Sequence, residues 1–310
     1  MDSRPPAIFL MGPTACGKSD LAVALTKVLP CDLVSVDSAL IYRGMDIGTA
    51  KPDLALRQRI RHGLIDILDP TQAYSAANFR EDALLEMQNI ANTGRIPLLV
   101  GGTMLYFRKL QEGLSLLPPA DEAIRVRLEA EAQALGWPAL HARLASVDAV
   151  SALRIHPNDP QRIQRALEVY ELTSQPLSSL FAQQLQCELP YRVVKIVLSL
   201  NDRDKLRARI AQRFDAMLQT GFIAEVAILR GRGDLHAELP SMRAVGYRHA
   251  WQYLSGEIDY TQMRERAIIA TRQFAKRQFT WLRSEKDAQW FDAEAPDVLE
   301  QVVKRISSLI

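Results

Sequence analysis

The chain has 310 residues, of which 48% are hydrophobic and 24% are charged. This composition is typical of a folded globular protein with room for two domains, and it excludes the disordered and collagen-like classes. The formal net charge of +2 gives by itself no reason to expect a nucleic-acid partner. No apolar run approaches the roughly 18 residues that a membrane-spanning helix needs, and the apolar N-terminal stretch is too short for a signal peptide. We therefore expect a soluble protein of the cytoplasm.

The cysteines Cys16, Cys31 and Cys187 are odd in number and far apart, without CxxC spacing. This pattern argues against a disulfide framework and against a zinc site, and it favours a reducing compartment.

Short apolar runs of strand length occur at residues 7–11, 33–36, 64–68 and 97–100, and helix-length segments separate them. We expect helices at 18–29 and 76–92. Strands alternating with helices are typical of βαβ units. The pattern predicts an α/β fold, with a mostly parallel sheet flanked by helices.

The character of the chain changes at Pro118-Pro119. The segment 118–190 is rich in Ala, Leu and Gln, is helical in period and carries no strand signal. A fifth strand is predicted at 193–200, and mostly helical sequence follows Asp202. We therefore expect a core formed by residues 1–117 and 191–310, with a helical C-terminal part, and a small all-helical insertion domain at 118–190.

The charges are unevenly distributed along the chain. Between Arg192 and Arg283 there are 17 lysines and arginines and nine acidic residues, a local balance of +8 that leaves −6 elsewhere. Solvated helix faces also carry charge, but a basic region of this size is typical of a surface that binds a polyanion.

A phosphate-binding motif follows the first predicted strand and precedes the first predicted helix. It matches G-x-x-x-x-G-K-[ST] in full, as Gly12, Pro13, Thr14, Ala15, Cys16, Gly17, Lys18 and Ser19. Backbone amides and the helix N-terminus bind phosphate oxygens in this motif, the lysine adds a positive charge, and the serine hydroxyl is suited to Mg²⁺. The motif predicts a bound diphosphate or triphosphate without identifying it.

Two further strand ends carry polar residues. Asp37 follows the second predicted strand and is open to three interpretations: a metal ligand, a general base or a turn cap. Thr103 follows Gly101-Gly102 at the end of the fourth, where it would bind a substrate edge or cap the next helix. Because carboxyl ends of parallel strands line one crevice, we expect both residues near the phosphate loop.

Five blocks in order along the chain resemble the bacterial tRNA dimethylallyltransferases, also called tRNA isopentenyltransferases. They are the phosphate loop with residues 37–52, then residues 100–106, 156–162, 243–248 and 270–283. The resemblance implies a P-loop core and transfer of a dimethylallyl group from dimethylallyl diphosphate, with Mg²⁺, to N6 of the adenosine 3′-adjacent to the anticodon in tRNAs that read UNN codons.

The resemblance also implies roles for particular residues. Asp37 would be the general base and Thr103 would orient the amino group, while the loop from Gly12 to Ser19 would hold the donor's diphosphate and Ser19 the metal. The family's catalytic arginine corresponds most naturally to Arg213, with Arg209 a close second, and a single sequence does not separate the two.

The implied tRNA contacts lie in five places along the chain. They are Asp37, Ser38, Ala39 and Leu40; Thr103; Arg125 with Gln161, Arg162, Ile163, Gln164 and Arg165 in the insertion, which would contact the anticodon stem-loop; Arg243, Ala244, Val245, Gly246, Tyr247 and Arg248; and Lys276, Arg277, Gln278, Phe279, Thr280, Trp281, Leu282 and Arg283. The helical spacing of Phe274, Trp281 and Leu282 is more typical of core residues than of base-stacking platforms.

Two alternatives remain at this point. A P-loop nucleoside or nucleotide kinase would use Asp37 to activate an attacking hydroxyl, with the insertion as a lid, and a noncatalytic P-loop protein would bind RNA only. The sequence has no coiled-coil signal, so we expect a monomer.

Overall fold

The computed structural model describes residues 4–113, 117–183 and 188–309. The chain divides into two compact units, the first formed by Met1–Gln111 with Leu189–Ile310 and the second by Glu112–Glu188. The division expected at 118 and 190 differs from this by six residues at one edge and two at the other. Cys187 lies outside the described residues.

The first unit is built on a parallel sheet with the strand order β3-β2-β4-β1-β5-β6. All of its strand pairs are parallel. The strands are β1 (Pro6–Met11), β2 (Cys31–Val36), β3 (His62–Gly63), β4 (Ile96–Gly101), β5 (Arg192–Ser199) and β6 (Gln289–Asp292). The predicted α/β fold class is confirmed.

Two details of the sheet differ from the sequence prediction. The strand expected at 64–68 is wrong, because Leu64 and Asp66 have φ angles of 60° and 56°, which extended backbone does not adopt. Only Leu68 makes an isolated bridge, to Tyr42. Strand β6 was missed because its four residues, Gln-Trp-Phe-Asp, form no apolar run.

Helices cover both faces of the sheet and make up most of the regular structure outside it among the described residues. In chain order they are α1 (Lys18–Val28), α2 (Leu54–Arg59), α3 (Ala76–Asn92), α4 (Met104–Glu112), α5 (Glu122–Leu135), α6 (Trp137–Val147), α7 (Ala149–Arg154), α8 (Pro160–Thr173), α9 (Leu177–Ala182), α10 (Arg203–Gln219), α11 (Phe222–Gly231), α12 (Tyr247–Leu254), α13 (Tyr260–Leu282) and α14 (Val298–Ser307). Within the described ranges, none of these helices combines the length and the apolar character that a membrane span requires.

The apolar residues of the first unit form three clusters. On one face of the sheet, Leu21 and Leu25 of α1 pack with Val302 and Ile306 of α14. On the other face, Phe79 of α3 and Phe107 of α4 contribute to the core. The third cluster joins α10, α11, α12 and α13 around Phe214, Phe222, Tyr247 and Met263. These helices form a block beside the sheet whose side chains reach the crevice described below.

The second unit contains helices α5 to α9 and, among its described residues 112–113 and 117–183, no strand. Its core is formed by buried leucines and alanines of α5, α6 and α8 together with Ile163. Local sequence sets the start of α8, because Pro160 occupies the first turn and the side chain of Asp159 accepts a hydrogen bond from the Arg162 amide.

Three strands of the sheet end at the same level. Met11 of β1 is in register with Gly101 of β4, and Val36 of β2 is in register with that same glycine. The residues that follow these strands, Gly12, Asp37 and Gly102, therefore emerge together at the carboxyl edge of the sheet. This edge is where open parallel sheets bind ligands.

Candidate active site

Two cavities meet at the carboxyl edge of the sheet. The first has a volume of about 430 Å³ and is bordered by α10, α12, α13 and the turn after β2. The second, of about 670 Å³, lies over the phosphate loop. Their linings share Thr14, Ala15, Asp37, Thr49, Arg213 and Phe274. A ligand in either cavity would therefore face Asp37 and Arg213.

The phosphate loop runs from β1 into α1, in the strand–loop–helix context that its motif requires. Gly17, which precedes the helix, has a φ angle of 93°, and Ala15 is also left-handed at 62°. Thr14, Ala15, Cys16, Gly17, Lys18 and Ser19 line the second cavity, while Gly12 and Pro13 are buried. The ammonium of Lys18 donates to the carbonyl of Pro13 at 2.6 Å. The loop thus presents a helix N-terminus, a lysine and a serine hydroxyl to one cavity, which is the chemistry of a diphosphate site.

Asp37 is held by the turn that it begins. Its Oδ1 accepts hydrogen bonds from the amides of Ala39 at 2.8 Å and Leu40 at 3.3 Å. Within the described part of the chain, its Oδ2 accepts no hydrogen bond. The turn-cap interpretation is therefore correct for Oδ1. The side chain is half-buried, and its Oδ2 remains available to accept a hydrogen bond from a ligand.

Thr103 is connected to the same turn. Its Oγ1 accepts a hydrogen bond from the amide of Ser38 at 3.1 Å, and its own amide donates to the carbonyl of Val36 at 3.2 Å. Because an accepting hydroxyl keeps its proton and a second lone pair, Thr103 can still both donate to and accept from a ligand. Thr103 and Asp37 line the first cavity together.

The two candidate arginines have different surroundings. Arg213 lines both cavities, is half-buried and donates one long hydrogen bond, 3.5 Å from Nη2 to the carbonyl of Thr49. Burial lowers the pKa of Arg213, and the negative charge of Asp37 opposes that effect. Arg209 lines only the second of these cavities, and its side chain is 40% exposed and paired with Glu294 at 3.3 Å. Arg213 is therefore the guanidinium that is free to bind an anion at the junction.

The loop from Asp46 to Thr49 is fixed by a carboxylate that the sequence analysis did not identify. Glu225 of α11 accepts hydrogen bonds from the amides of Asp46 at 2.9 Å, Ile47 at 2.6 Å and Gly48 at 3.2 Å. It also accepts one from the hydroxyl of Tyr247 at 2.6 Å. Burial and this carboxylate raise the pKa of Tyr247, so its phenol stays protonated. No local sequence signal links Glu225 to the loop from Asp46 to Thr49, because the two segments are far apart in the chain.

Aromatic side chains form much of the wall of the first cavity. They are Tyr42, Tyr74, Tyr106, Phe214, Tyr247 and Phe274. Tyr106 stacks on Phe79 with ring centroids 4.4 Å apart, which fixes its position. The helical spacing predicted a core role for Phe274, whereas its half-buried ring borders both cavities. A wall of this composition suits a planar base or an apolar chain.

Helix α13 presents the predicted contacts of residues 276–283 on different faces. Lys276, Arg277, Thr280 and Arg283 are exposed, and Phe279 and Trp281 are half-buried. The guanidinium of Arg108 lies 5.6 Å from the ring centre of Trp281. Leu282 is 0% exposed and Gln278 is 4% exposed, so the side chains of these two residues face inward, and their RNA contact stays a prediction. Consecutive residues on a helix point in different directions, so a contact assigned to a whole block includes inward-facing members.

A basic groove of about 500 Å³ lies between α10 and α13. Its charged lining consists of Arg203, Arg207, Arg272, Lys276 and Arg283. The first three of these were not identified from the sequence, because the groove exists only where the two helices pack.

The block from 243 to 248 leads into α12. Arg243 and Arg248 are exposed, while Ala244, Val245, Gly246 and Tyr247 line the first cavity together with Arg243. Ser38 and Ala39 line this cavity as well, and Leu40 lines the second.

The predicted contacts in the second unit also divide into exposed and inward-facing residues. Gln161 and Arg162 are exposed on α8, and Gln164 is half-buried. Ile163 is 0% exposed in the core of this unit, so its side chain faces inward, and its RNA contact stays a prediction.

Arg125 and Arg165 are held by a buried acid. Glu168 is 0% exposed and accepts hydrogen bonds from Arg125 Nε at 2.8 Å and Arg165 Nη1 at 2.6 Å. Burial alone would raise the pKa of Glu168, but these hydrogen bonds outweigh it and lower the pKa. Both arginines therefore stabilise the fold of the second unit.

Over residues 4–113, 117–183 and 188–309, no group of three or more His, Cys, Asp or Glu side chains is placed to hold a metal ion. Cys16 and Cys31 are buried free thiols. An ion bound mainly by substrate oxygens needs few protein ligands.

The fold and the loop define a P-loop α/β protein whose phosphate site opens toward an aromatic cavity. The model of the IPP transferase family matches residues 40–285. A tRNA dimethylallyltransferase of Thioalkalivibrio sulfidiphilus (strain HL-EbGR7) is 61% identical over 293 residues, which cover 94% of this chain and 92% of that protein. The chain belongs to the IPP transferase family.

Solved structures support the same assignment. The tRNA isopentenylpyrophosphate transferase of Bacillus halodurans superposes with a TM-score of 0.72 at 35% identity, covering 99% of this chain and 96% of that one. A eukaryotic dimethylallyltransferase acting on tRNA gives a TM-score of 0.82 at 25% identity, covering 98% and 79%.

Proposed function

We propose that this chain is a tRNA dimethylallyltransferase that transfers the dimethylallyl group of dimethylallyl diphosphate to N6 of the adenosine 3′-adjacent to the anticodon. Its substrates are tRNAs that read UNN codons, and its product is N6-(dimethylallyl)adenosine. The observation that carries the proposal is the junction of a phosphate-loop cavity with an aromatic cavity at Asp37 and Arg213. A donor and an acceptor that enter from opposite sides would meet there.

The donor's diphosphate fits the second cavity. The amides at the start of α1 and the ammonium of Lys18 supply positive charge to its oxygens, and Arg213 faces the same space. The dimethylallyl group then points toward the junction, where the ring of Phe274 offers an apolar contact.

The acceptor adenine fits the first cavity. A base in an anticodon loop must leave its stack to enter, which costs a few kcal/mol, and stacking on aromatic side chains offsets about 1–3 kcal/mol of that cost per base. The volume of about 430 Å³ lies within the range of sites that hold small ligands.

The reaction exchanges one bond for another at the junction. The N6 nitrogen of adenine forms a bond to the first carbon of the dimethylallyl group, and the bond from that carbon to the diphosphate oxygen breaks. Asp37 accepts the N6 proton through the oxygen that the turn does not use, and Thr103 orients the amino group. Arg213, Lys18 and the loop amides bind the departing diphosphate. General-base assistance contributes about 10²- to 10⁴-fold, and donors aimed at developing charge contribute further.

Mg²⁺ fits the residues present. Ser19 lines the second cavity with its side chain exposed, and Asp20 and Asp37 line the same space. This sparse set suits an ion that takes most of its ligands from diphosphate oxygens and water. When bound, Mg²⁺ would neutralise negative charge on the diphosphate. The hydroxyl of Ser19 would hold the ion.

The RNA is proposed to bind through exposed cations that surround the first cavity and follow α13. They are Arg243, Arg248, Lys276, Arg277 and Arg283. In the second unit, exposed Gln161 and Arg162 are the proposed contacts to the anticodon stem-loop. Cations of this kind position the phosphate backbone, while the cavity selects the base.

A single copy of the chain supplies every residue assigned to the reaction, which supports action as a monomer. A tRNA substrate is consistent with the expected location in the cytoplasm.

The proposal is tested by incubating the protein with labelled dimethylallyl diphosphate, Mg²⁺ and an unmodified tRNA whose anticodon ends in A. Digestion should yield N6-modified adenosine, and a matched tRNA with guanosine in place of the target adenosine should yield none. Consumption of ATP without a modified nucleoside would instead support the kinase alternative. RNA binding without either product would support a noncatalytic binding protein.

A further inference from the structure

We propose that Gln278 is a positioning residue that fixes the phosphate loop relative to the turn carrying Thr103. Its side-chain Oε1 accepts a hydrogen bond from the amide of Thr14 at 2.9 Å, and its Nε2 donates to the carbonyl of Gly102 at 2.9 Å. The residue is 4% exposed. This inference rests on the proposed function, because the two segments that it joins are those assigned to the donor and the acceptor.

A carboxamide is the group that satisfies both partners. One end of it accepts and the other donates, which matches an amide on the loop and a carbonyl on the turn. A glutamate at this position would keep the bond from Thr14 but would set a carboxylate oxygen against the Gly102 carbonyl. A methionine of similar length would form neither bond: the Thr14 amide would lose the acceptor that Gln278 supplies, whereas the Gly102 carbonyl would keep only its bond from the Met104 amide at 3.0 Å.

The packing around Gly102 shows how closely these three segments approach. A Cβ atom added to Gly102 would lie 2.2 Å from Nε2 of Gln278 and 3.3 Å from the carbonyl oxygen of Gly12. Such a separation from Nε2 is far inside van der Waals contact, so the turn can approach Gln278 only because residue 102 has no side chain. The turn and the loop therefore both lie directly against Gln278.

The hydrogen bond from Thr14 also limits which amides serve the diphosphate. Because the Thr14 amide is committed to Gln278, the anion cradle begins after it, where Ala15 adopts a left-handed conformation with a φ of 62°. Gln278 borders the second cavity, and through the Thr14 amide it orients the start of the cradle.

Gln278 faces inward, while Lys276 and Arg277 on the same turn of α13 are exposed. Loss of Gln278 should leave the cationic face and each half of the site in place. It should change their relative position, and a misplacement of about 1 Å can reduce a rate by roughly 10²-fold. The expected effect is on the transfer step and not on the binding of either substrate.

The test uses the full chain with Gln278→Glu and Gln278→Met, and with Gln301→Met as the control. Gln301 is exposed on α14, and its side chain donates a hydrogen bond to Asp297 at 2.8 Å. Single-turnover transfer is measured with enzyme in excess, so that the rate constant does not depend on the fraction of active protein. The Kd of an anticodon stem-loop RNA and the Kd of inorganic diphosphate are measured separately.

We expect both Gln278 variants to transfer the dimethylallyl group roughly 30- to 300-fold more slowly, with both Kd values within threefold of the wild type and with Gln301→Met unchanged. An RNA Kd raised tenfold at an unchanged rate would overturn the inference and assign Gln278 to tRNA contact. Wild-type rates in both variants would also overturn it. Gln278→Glu retains the size and one hydrogen bond, so it decides the question if Gln278→Met does not fold. Absence of transfer by the wild type would instead refute the proposed function.

Discussion

The comparison of Arg213 with Arg209 gives the sharpest test of the active-site geometry. Substitution of either residue by glutamine removes one positive charge from the second cavity. The structure distinguishes them, because Arg213 is half-buried at the junction of the two cavities and Arg209 is partly exposed and paired with Glu294. We expect Arg213→Gln to slow transfer by about 10²- to 10³-fold and Arg209→Gln by less than tenfold.

These magnitudes follow from the surroundings of each guanidinium. At a contact distance of about 4 Å, two unit charges interact by about 4 kcal/mol in a medium with an effective dielectric constant near 20, and by about 1 kcal/mol in bulk water. A partly desolvated Arg213 belongs to the first regime. A difference of about 1.36 kcal/mol in the activation free energy corresponds to a tenfold change in rate. Only the charge that develops on the leaving diphosphate in the transition state contributes to this difference, so the full 4 kcal/mol is an upper value. For Arg209, exposure and the existing ion pair reduce the interaction to about 0–1 kcal/mol.

The assay is single-turnover transfer to unmodified tRNA with saturating dimethylallyl diphosphate, and thermal unfolding of each variant verifies that the fold is retained. Equal losses in the two variants, or a larger loss in Arg209→Gln, would refute the assignment of Arg213 to the leaving group.

Four further predictions follow from the structure. Asp37→Asn keeps the oxygen that accepts hydrogen bonds from Ala39 and Leu40, and it should reduce the transfer rate by about 10²- to 10⁴-fold with an unchanged RNA Kd. The matched control is Asp53→Asn, at the start of α2. A loss below tenfold in Asp37→Asn would contradict the general-base role. Glu168→Gln should destabilise the second unit by about 1.5–3 kcal/mol, because it removes the charge that strengthens the hydrogen bonds from two partly exposed arginines. Hydrogen exchange across residues 117–183 measures this loss, and unchanged protection would contradict it. Burial lowers the pKa of His249 from 6.5 to about 4, so the stability that depends on its neutral form is complete above about pH 6.5 and is lost as the pH falls toward 4. Over this range the free energy of unfolding of the wild type should drop by about 3 kcal/mol more than that of His249→Gln. Parallel pH profiles of the two proteins would argue against this prediction. Finally, the Kd of the tRNA should rise by about 10³-fold between 50 and 200 mM salt if about six phosphates are contacted, and a flat dependence would rule out the proposed cationic surface.

Local sequence determined the parts of this protein that depend on neighbouring residues. The phosphate loop needs a strand, a specific run of residues and a helix in immediate succession, and all three are contiguous in the chain. Asp37 and Thr103 were placed at the active edge because each follows a buried strand and parallel strands end together. The predicted α1 and α3 agree with the structure, since caps and apolar periodicity act within a few residues.

Tertiary structure decided what depends on residues that are distant in the chain. Sequence favoured Arg213 over Arg209 without separating them, because one helical turn lies between the two. Only the packing of α10 places Arg213 at both cavities and Arg209 beside Glu294. The inward orientation of Gln278 and Ile163, the three backbone amides gathered by Glu225, and the basic groove between α10 and α13 all arise from packing. The physical reason is that a motif fixes which chemical groups are available, whereas their exposure, partners and direction depend on the surfaces that the folded chain brings against them.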